Sequence, residues 1–311
     1  MSRSEFTVLQ AAALPSPARS LPPERGLLRV AAVQTRWHEN ADEHLDALAR
    51  GIRLAAARGA QIVCLQELTL SPYFALQPDV DGTGLLENIP DGPTTRFALE
   101  LAKETGVIVH ASLYERDDGG LGFNTAIAVA PDGALLARTR KLHIPCFPGY
   151  HEDCYFAPGD TGFPVVEALG ATFGFPTCWD QWFPELARTY SLLGTDIIVY
   201  PTAIGSEPSQ PDFDTQPLWS QMIRANGLAN ATFMIAINRI GRERIGQNEL
   251  DFYGSSFISD PYGRVLIEAP RDTSSVLVAD LDLDQRRDWL EFGLLSTRRP
   301  ELYRTLTQTQ S

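Results

Sequence analysis

The chain alternates short apolar runs with longer stretches in which apolar side chains recur at helical spacing. Residues 28–34 (LRVAAVQ), 61–65 (QIVCL) and 107–114 (VIVHASLY) are compact apolar runs that predict buried strands. Between them, residues 40–58 place Leu45, Leu48, Ile52 and Leu54 on one stripe, with Asn40 positioned as a cap. Residues 93–105 form a second predicted helix. Residues 124–130 and 135–139 flank Pro131-Asp132-Gly133, a turn signal that predicts a hairpin. The second half repeats the rhythm, with strands at 171–177, 197–200 and 233–238 and helices at 183–193 and 218–230. Strands at 254–259 and 264–269 face each other across Asp260-Pro261-Tyr262-Gly263, and 276–281 is the last strand.

Alternating strands and helices with inserted hairpins predict an α/β fold. The two similar halves predict two sheets packed face to face with helices outside, although a barrel or a doubly wound sheet fits the same pattern. The chain divides into a flexible arm at 1–26, one large domain at 27–283 and a tail at 284–311. The arm carries an apolar patch at 8–14, preceded by Glu5 and followed by prolines. It reads as disordered or loosely packed rather than as a signal peptide.

Composition narrows the function classes. Net charge is -13, from 39 acidic and 26 basic residues. That balance disfavours nucleic acid or an anionic membrane as partner, and leaves a small cationic or neutral substrate open. No apolar run is long enough to predict a membrane span. The cysteines, Cys64, Cys146, Cys154 and Cys178, show neither CxxC pairing nor zinc-site spacing. They read as free thiols in a reducing compartment, which predicts a cytoplasmic protein.

Three predicted strands end in an ionisable or nucleophilic residue, and strand ends are where α/β sheets build their sites. Glu67 follows IVCL directly, where partial burial would suit it to general-base work; alone, it also fits a turn-capping glutamate. Lys141 follows a strand and precedes His143, placed to stabilise an oxyanion or simply exposed beside Arg138 and Arg140. Cys178 lies where a strand turns sharply into a helix, a context that favours a thiolate. Its alternative is a buried structural cysteine, the reading given to Cys64. His143 reads as a structural histidine and Glu152 as a surface acid when each is taken alone. A Cys–His dyad would use the same thiol, but none of the five histidines has a context marking it as the base.

Together these segments resemble the nitrilase superfamily of carbon–nitrogen hydrolases over residues 27 to 303. LQEL carries Glu67, RKLHIP carries Lys141 and TCWDQWFPE carries Cys178. The resemblance implies an α-β-β-α sandwich, a Glu67–Lys141–Cys178 triad, and a second active-site glutamate in PGYHED at Glu152. It is closest to the N-carbamoyl-amide hydrolases, through LSPYF, HIPCFPGYHEDCYFAPGDTGF, YPTAIGSEP, NRIGRE and FYGSSFISDPYG. The segments around Cys146 and Cys154, Phe175-Pro176-Thr177 and residues 209–216 depart from that pattern.

The implied reaction is hydrolysis of an N-carbamoyl amine such as N-carbamoylputrescine through a carbamoyl thioester, with no metal or organic cofactor. An N-carbamoyl amino acid, a simple amide or a nitrile is the alternative substrate. Trp179 is expected to supply an oxyanion N–H and His143 to support the site, with Tyr73, Asp180 and Gln181 facing the substrate. Relatives that take carbamoyl amino acids carry arginine three or four positions after the nucleophile. Gln181 and Trp182 stand there instead, which favours a cationic substrate unless Arg188 or Arg224 reaches the pocket. The resemblance also implies a homodimer or higher oligomer, with the tail packing on a partner subunit.

Overall fold

The computed structural model describes residues 6–210 and 212–308. Its first strands are β1 (Thr7–Ala11), β2 (Leu27–Gln34), β3 (Ile62–Cys64), β4 (Ile108–Glu115), β5 (Phe123–Val129) and β6 (Leu135–Arg140). Two short strands follow, β7 (Cys146–Phe147) and β8 (Tyr150–His151), then β9 (Val165–Ala168), β10 (Ala171–Gly174), β11 (Ile197–Pro201) and β12 (Phe233–Ile237). The last are β13 (Ile240–Ile245), β14 (Asn248–Tyr253), β15 (Phe257–Ser259), β16 (Val265–Glu268) and β17 (Ser275–Asp282). The helices are α1 (Ala41–Ala57), α2 (Pro93–Thr105), α3 (Pro184–Leu192), α4 (Gln216–Asn230) and α5 (Asp284–Leu290). Asn40 caps α1 as expected, its side chain accepting from the Glu43 N–H at 3.0 Å.

One sheet has the order β1-β17-β2-β3-β4-β5-β6 and the other β16-β15-β12-β11-β10-β9. The period of two along each strand sends alternate residues to opposite faces. In β2, Leu28, Val30 and Ala32 enter the layer between the sheets, where Ile197 and Val199 of β11 and Phe233 and Ile235 of β12 meet them. The intervening Ala31 and Val33 pack outward against Leu48 and Ile52 of α1 and Ala98 and Leu101 of α2. Ile198 and Tyr200 of β11 face Leu186 and Tyr190 of α3 and Trp219 and Ile223 of α4. The result is the expected α-β-β-α sandwich. Cys64 is buried between the sheets, as expected of a structural thiol.

The predicted flexible arm is corrected over its described part. Residues 7–11 form β1, paired parallel with β17 from Thr7↔Ser275 to Ala11↔Ala279. That strand covers an otherwise open edge, and Leu9, half-buried, packs against the inter-sheet core. Farther along, Arg19 pairs with Asp282 at 2.7 Å and Asp288 at 2.9 Å, and Arg25 pairs with Asp196 at 2.8 Å. Residues 1–5 of the arm and 309–311 of the tail lie outside the described residues.

The hairpin β13–β14 is a second departure. Arg242, Arg244, Glu249 and Asp251 pair with one another on its outer face, so its sequence is too charged to read as strand. Its other face presents Leu250 and Phe252 to the cluster around Tyr73 and Tyr150. The predicted strand at 254–259 starts late, at Phe257, because Gly254 and Ser255 both take left-handed backbone, at φ 55° and 56°.

Candidate active site

β3 ends at Cys64, and the chain then turns inward to bury Glu67 fully. The residue after it, Leu68, holds φ 48°, a left-handed conformation that costs about 1–2 kcal/mol in a non-glycine residue. Arg239, fully buried just beyond β12, pins that turn. Its guanidinium donates to the carbonyl oxygens of Glu67 at 2.6 Å and Leu68 at 3.2 Å, and to Glu243 at 2.5 Å. Oε1 of Glu67 accepts from Asn124 Nδ2 at 2.7 Å and Lys141 Nζ at 3.0 Å. Oε2 is buried with no hydrogen-bond partner among the described residues.

Lys141 follows β6 and is also fully buried. It donates to Glu152 Oε2 at 2.5 Å, and Tyr73 Oη donates to Glu152 Oε1 at 2.9 Å. Burial alone would lower the Lys141 pKa, but the carboxylates of Glu152 and Glu67 outweigh it and raise the value. Burial pushes Glu152 up to about 7, against the opposing pull of Lys141. Lys141 is therefore a firmly held cation between two acids.

Cys178 opens a short helical segment (Cys178–Trp182) after β10 and holds φ 40°. Such strain collects at sites where the surrounding structure fixes the chain. Burial raises the thiol's pKa, Glu67 adds to that, and Lys141 with the Ala203 N–H opposes it. These surroundings favour the thiol over the thiolate that the turn into a helix led one to expect.

The expected substrate-facing roles of Asp180, Gln181 and Tyr73 are corrected. Asp180 accepts from the backbone N–H groups of Thr177 at 3.1 Å and His143 at 2.9 Å, so its carboxylate braces the elbow from behind. Gln181 Oε1 accepts from Trp219 Nε1 at 2.8 Å, against α4. Tyr73 is spent on Glu152, behind the site. His143 lies at 2.7 Å from Asp180 and stacks on Phe183, which agrees with a structural histidine.

A cavity of about 350 Å³ opens over the thiol. Cys178 and Glu152 line it, with Phe147, Trp179, Trp182 and Phe213 as an aromatic wall. Among the described residues, no lysine or arginine lines it. Arg188 instead donates to the Ala229 carbonyl at 2.9 Å, and Arg224 to the Gly263 carbonyl at 2.9 Å. Among the described residues, no group of three or more His, Cys, Asp or Glu is arranged to hold a metal ion. No helix there is long and apolar enough to cross a membrane.

Sequence reasoning missed Asn124, Arg239 and Glu243. Arg239 and Glu243 have i,i+4 spacing, which reads as a solvated pair, and only the fold of β13–β14 over the site buries them. Asn124 opens a strand otherwise read for its apolar content.

The carbon–nitrogen hydrolase family profile matches residues 29–291. N-carbamoylputrescine amidase of Arabidopsis thaliana is 39% identical, covering 89% of this chain and 94% of that protein. Citrullinase of Francisella tularensis is 38% identical, covering 89% of this chain and 96% of that protein. The crystal structure of a carbon–nitrogen hydrolase from Helicobacter pylori superposes with a TM-score of 0.85 at 29% identity, covering 92% of this chain and 100% of that one. With the buried Glu67, Lys141 and Cys178 at the sheet ends, the match spans both the sandwich and its site: the chain belongs to the carbon–nitrogen hydrolase family, enzymes that cleave non-peptide C–N bonds.

Proposed function

We propose that the protein hydrolyses N-carbamoyl amines, N-carbamoylputrescine among them, with Cys178 as nucleophile and Glu67 as general base. The carrying observation is the division of labour in the Glu67 carboxylate. Oε1 is held by Lys141 and Asn124, and Oε2 is buried without a hydrogen-bond partner among the described residues. An oxygen in that state is available to take a proton in a dry site.

In this reading Glu67 takes the Cys178 proton as sulfur attacks the carbamoyl carbon. The oxyanion is held by Lys141 Nζ and the backbone N–H of Trp179, which lies in the first turn after the nucleophile, where helical N–H groups lack intrahelical partners. Glu67 passes the proton to the leaving nitrogen, and the amine departs, leaving a carbamoyl thioester. Water, deprotonated by Glu67, attacks that thioester and frees Cys178. The released carbamic acid breaks down to ammonia and carbon dioxide. Glu152 acts by holding Lys141.

The absence of lysine and arginine from the cavity wall favours an amine over a carboxylate at the other end of the substrate. The name of the Arabidopsis relative, N-carbamoylputrescine amidase, supports the same class. A cytoplasmic site fits the free thiols, and self-association fits the exposed Phe292, Leu302 and Leu306 of the tail.

The test compares kcat/KM on N-carbamoylputrescine and N-carbamoyl-β-alanine, with carbon dioxide and free amine both measured. The expected preference for the first is about tenfold or more, about 1.4 kcal/mol of transition-state binding. An equal preference for the carboxylate compound, or no turnover of either, would overturn the reading.

A further inference from the structure

Ser112 lies within β4, fully buried, and the mechanism above gives it no part. Its hydroxyl stands between two groups of the site. The Leu68 backbone N–H donates to Ser112 Oγ at 3.1 Å, and Ser112 Oγ donates to Asn124 Oδ1 at 3.3 Å. Asn124, fully buried on the neighbouring strand β5, donates in turn from Nδ2 to Glu67 Oε1 at 2.7 Å. This chain of hydrogen bonds leaves the backbone at residue 68 and returns to the side chain of residue 67.

Both ends of the chain have a fixed polarity. A backbone N–H only donates, and a carboxylate oxygen only accepts. Ser112 has one hydroxyl proton. Its oxygen accepts from Leu68, so that proton goes to Asn124. The amide of Asn124 is thereby held with its oxygen toward Ser112 and its nitrogen toward Glu67. Turned over, it would set an oxygen against the carboxylate. The N–H that starts the chain belongs to Leu68, the residue of this turn held at φ 48°. The strands on either side are tied to the same groups. Thr69 N–H donates to the Ser112 carbonyl at 2.8 Å, and Lys141 N–H donates to the Asn124 carbonyl at 2.8 Å. Asn124 thus touches both the base and the residue that carries the cation.

We propose that Ser112 and Asn124 are positioning residues that fix the rotation of the Glu67 carboxylate, pinning Oε1 so that Oε2 is the oxygen that takes the Cys178 proton. The inference rests on the reading of Glu67 as base and adds to it the relay that aims it. Neither residue touches the substrate.

The experiment compares Ser112→Ala, Asn124→Ala and the double variant on N-carbamoylputrescine. Ser112→Ala is expected to lower kcat about tenfold and Asn124→Ala about a hundredfold, the scale of a misplaced catalytic group. KM is expected to stay within about twofold in each, since ground-state binding is untouched. Two links of one chain act in series, so the double variant is expected to match Asn124→Ala alone. Alkylation of Cys178 by iodoacetamide, read by peptide mass, follows the base without the substrate, and its rate is expected to fall in the same order. Losses that multiply in the double variant, or variants that raise KM and keep kcat, overturn the relay. If Asn124→Ala does not fold, Ser112→Ala decides alone, and an unchanged kcat and alkylation rate overturn it. Glu67→Gln separates the two levels. Should it keep the wild-type kcat, the base reading fails and the relay with it. Should it lose turnover while Ser112→Ala and Asn124→Ala keep theirs, only the relay is overturned. If the wild type does not cleave N-carbamoylputrescine, the substrate reading fails and the order of alkylation rates decides the relay.

Discussion

The guanidinium of Arg239 donates to the carbonyl oxygen of Glu67 at 2.6 Å, joining two residues 172 positions apart in the chain. It also neutralises Glu243, whose carboxylate accepts from the Tyr73 N–H at 2.7 Å. One buried cation thus holds both Glu67 and the tyrosine that steadies Glu152. Arg239→Met leaves Glu243 buried without its charge partner, an expected cost of about 3–5 kcal/mol. Denaturant unfolding measures it. Adding Glu243→Gln should recover part of that stability but little activity, because the Glu67 turn stays unpinned. Full recovery of activity in the double variant would show that Arg239 does not position the base.

Cys178→Ala should fold as the wild type and lose turnover. The side chain is small, and its loss leaves the elbow bonds of Asp180 in place. Stoichiometric alkylation of the wild type should map to Cys178, although Cys146 and Cys154 are the exposed thiols. More than about a hundredth of the wild-type rate in the alanine variant is too much for an enzyme without its nucleophile, and would reassign the role.

Glu67→Gln should block both half-reactions, since one group serves as base in each. Asn124 and Lys141 can still donate to the amide oxygen, so the fold is expected to survive. Single-turnover mass measurement is the check. An acyl-enzyme formed at the normal rate would point to a different base.

Glu152 links stability to pH in an unusual direction for an acid. Burial lifts its pKa from the ordinary value of 4.5 to about 7 in the folded protein. The folded state therefore binds this proton more tightly than the unfolded chain. The contribution is fully present below the unfolded value and is lost as pH rises through the folded one. Glu152→Gln cannot ionise. The stability of wild type relative to this variant should fall across that window and level off above it. Unfolding midpoints of both proteins over the window give the answer, and a difference that rises with pH would reverse the sign assigned here.

Leu9 tests the corrected reading of the first residues. It is half-buried against the inter-sheet core, so Leu9→Asp sets a charge at the edge of that core and should cost about 1 kcal/mol or more. A flexible arm would tolerate the change without a shift in Tm.

Much of the sandwich was legible because its signals are local. The apolar runs of β2, β4 and β12 and the Asn40 cap each act on near neighbours, so a window of a few residues contains the cause. The three chemical residues could be located for the same reason: each stands where a local apolar pattern breaks at a strand end. What the runs could not state is which face each residue meets, or that β1 returns to pair with β17 at the far end of the chain.

The sequence by itself determined the helices, most of the strands and the positions of Glu67, Lys141 and Cys178. The tertiary structure alone decided what surrounds them. Asp180 looked exposed to substrate and proved to be a brace, because its neighbours' N–H groups take up its charge. Arg239 and Glu243 drew no reading from the sequence and proved to be buried, because a charged hairpin folds over them. Periodicity encodes contacts among neighbours in sequence. The environment of a charge is set by groups tens to hundreds of residues away, and the burial that determines its chemistry exists only once the chain has closed around it.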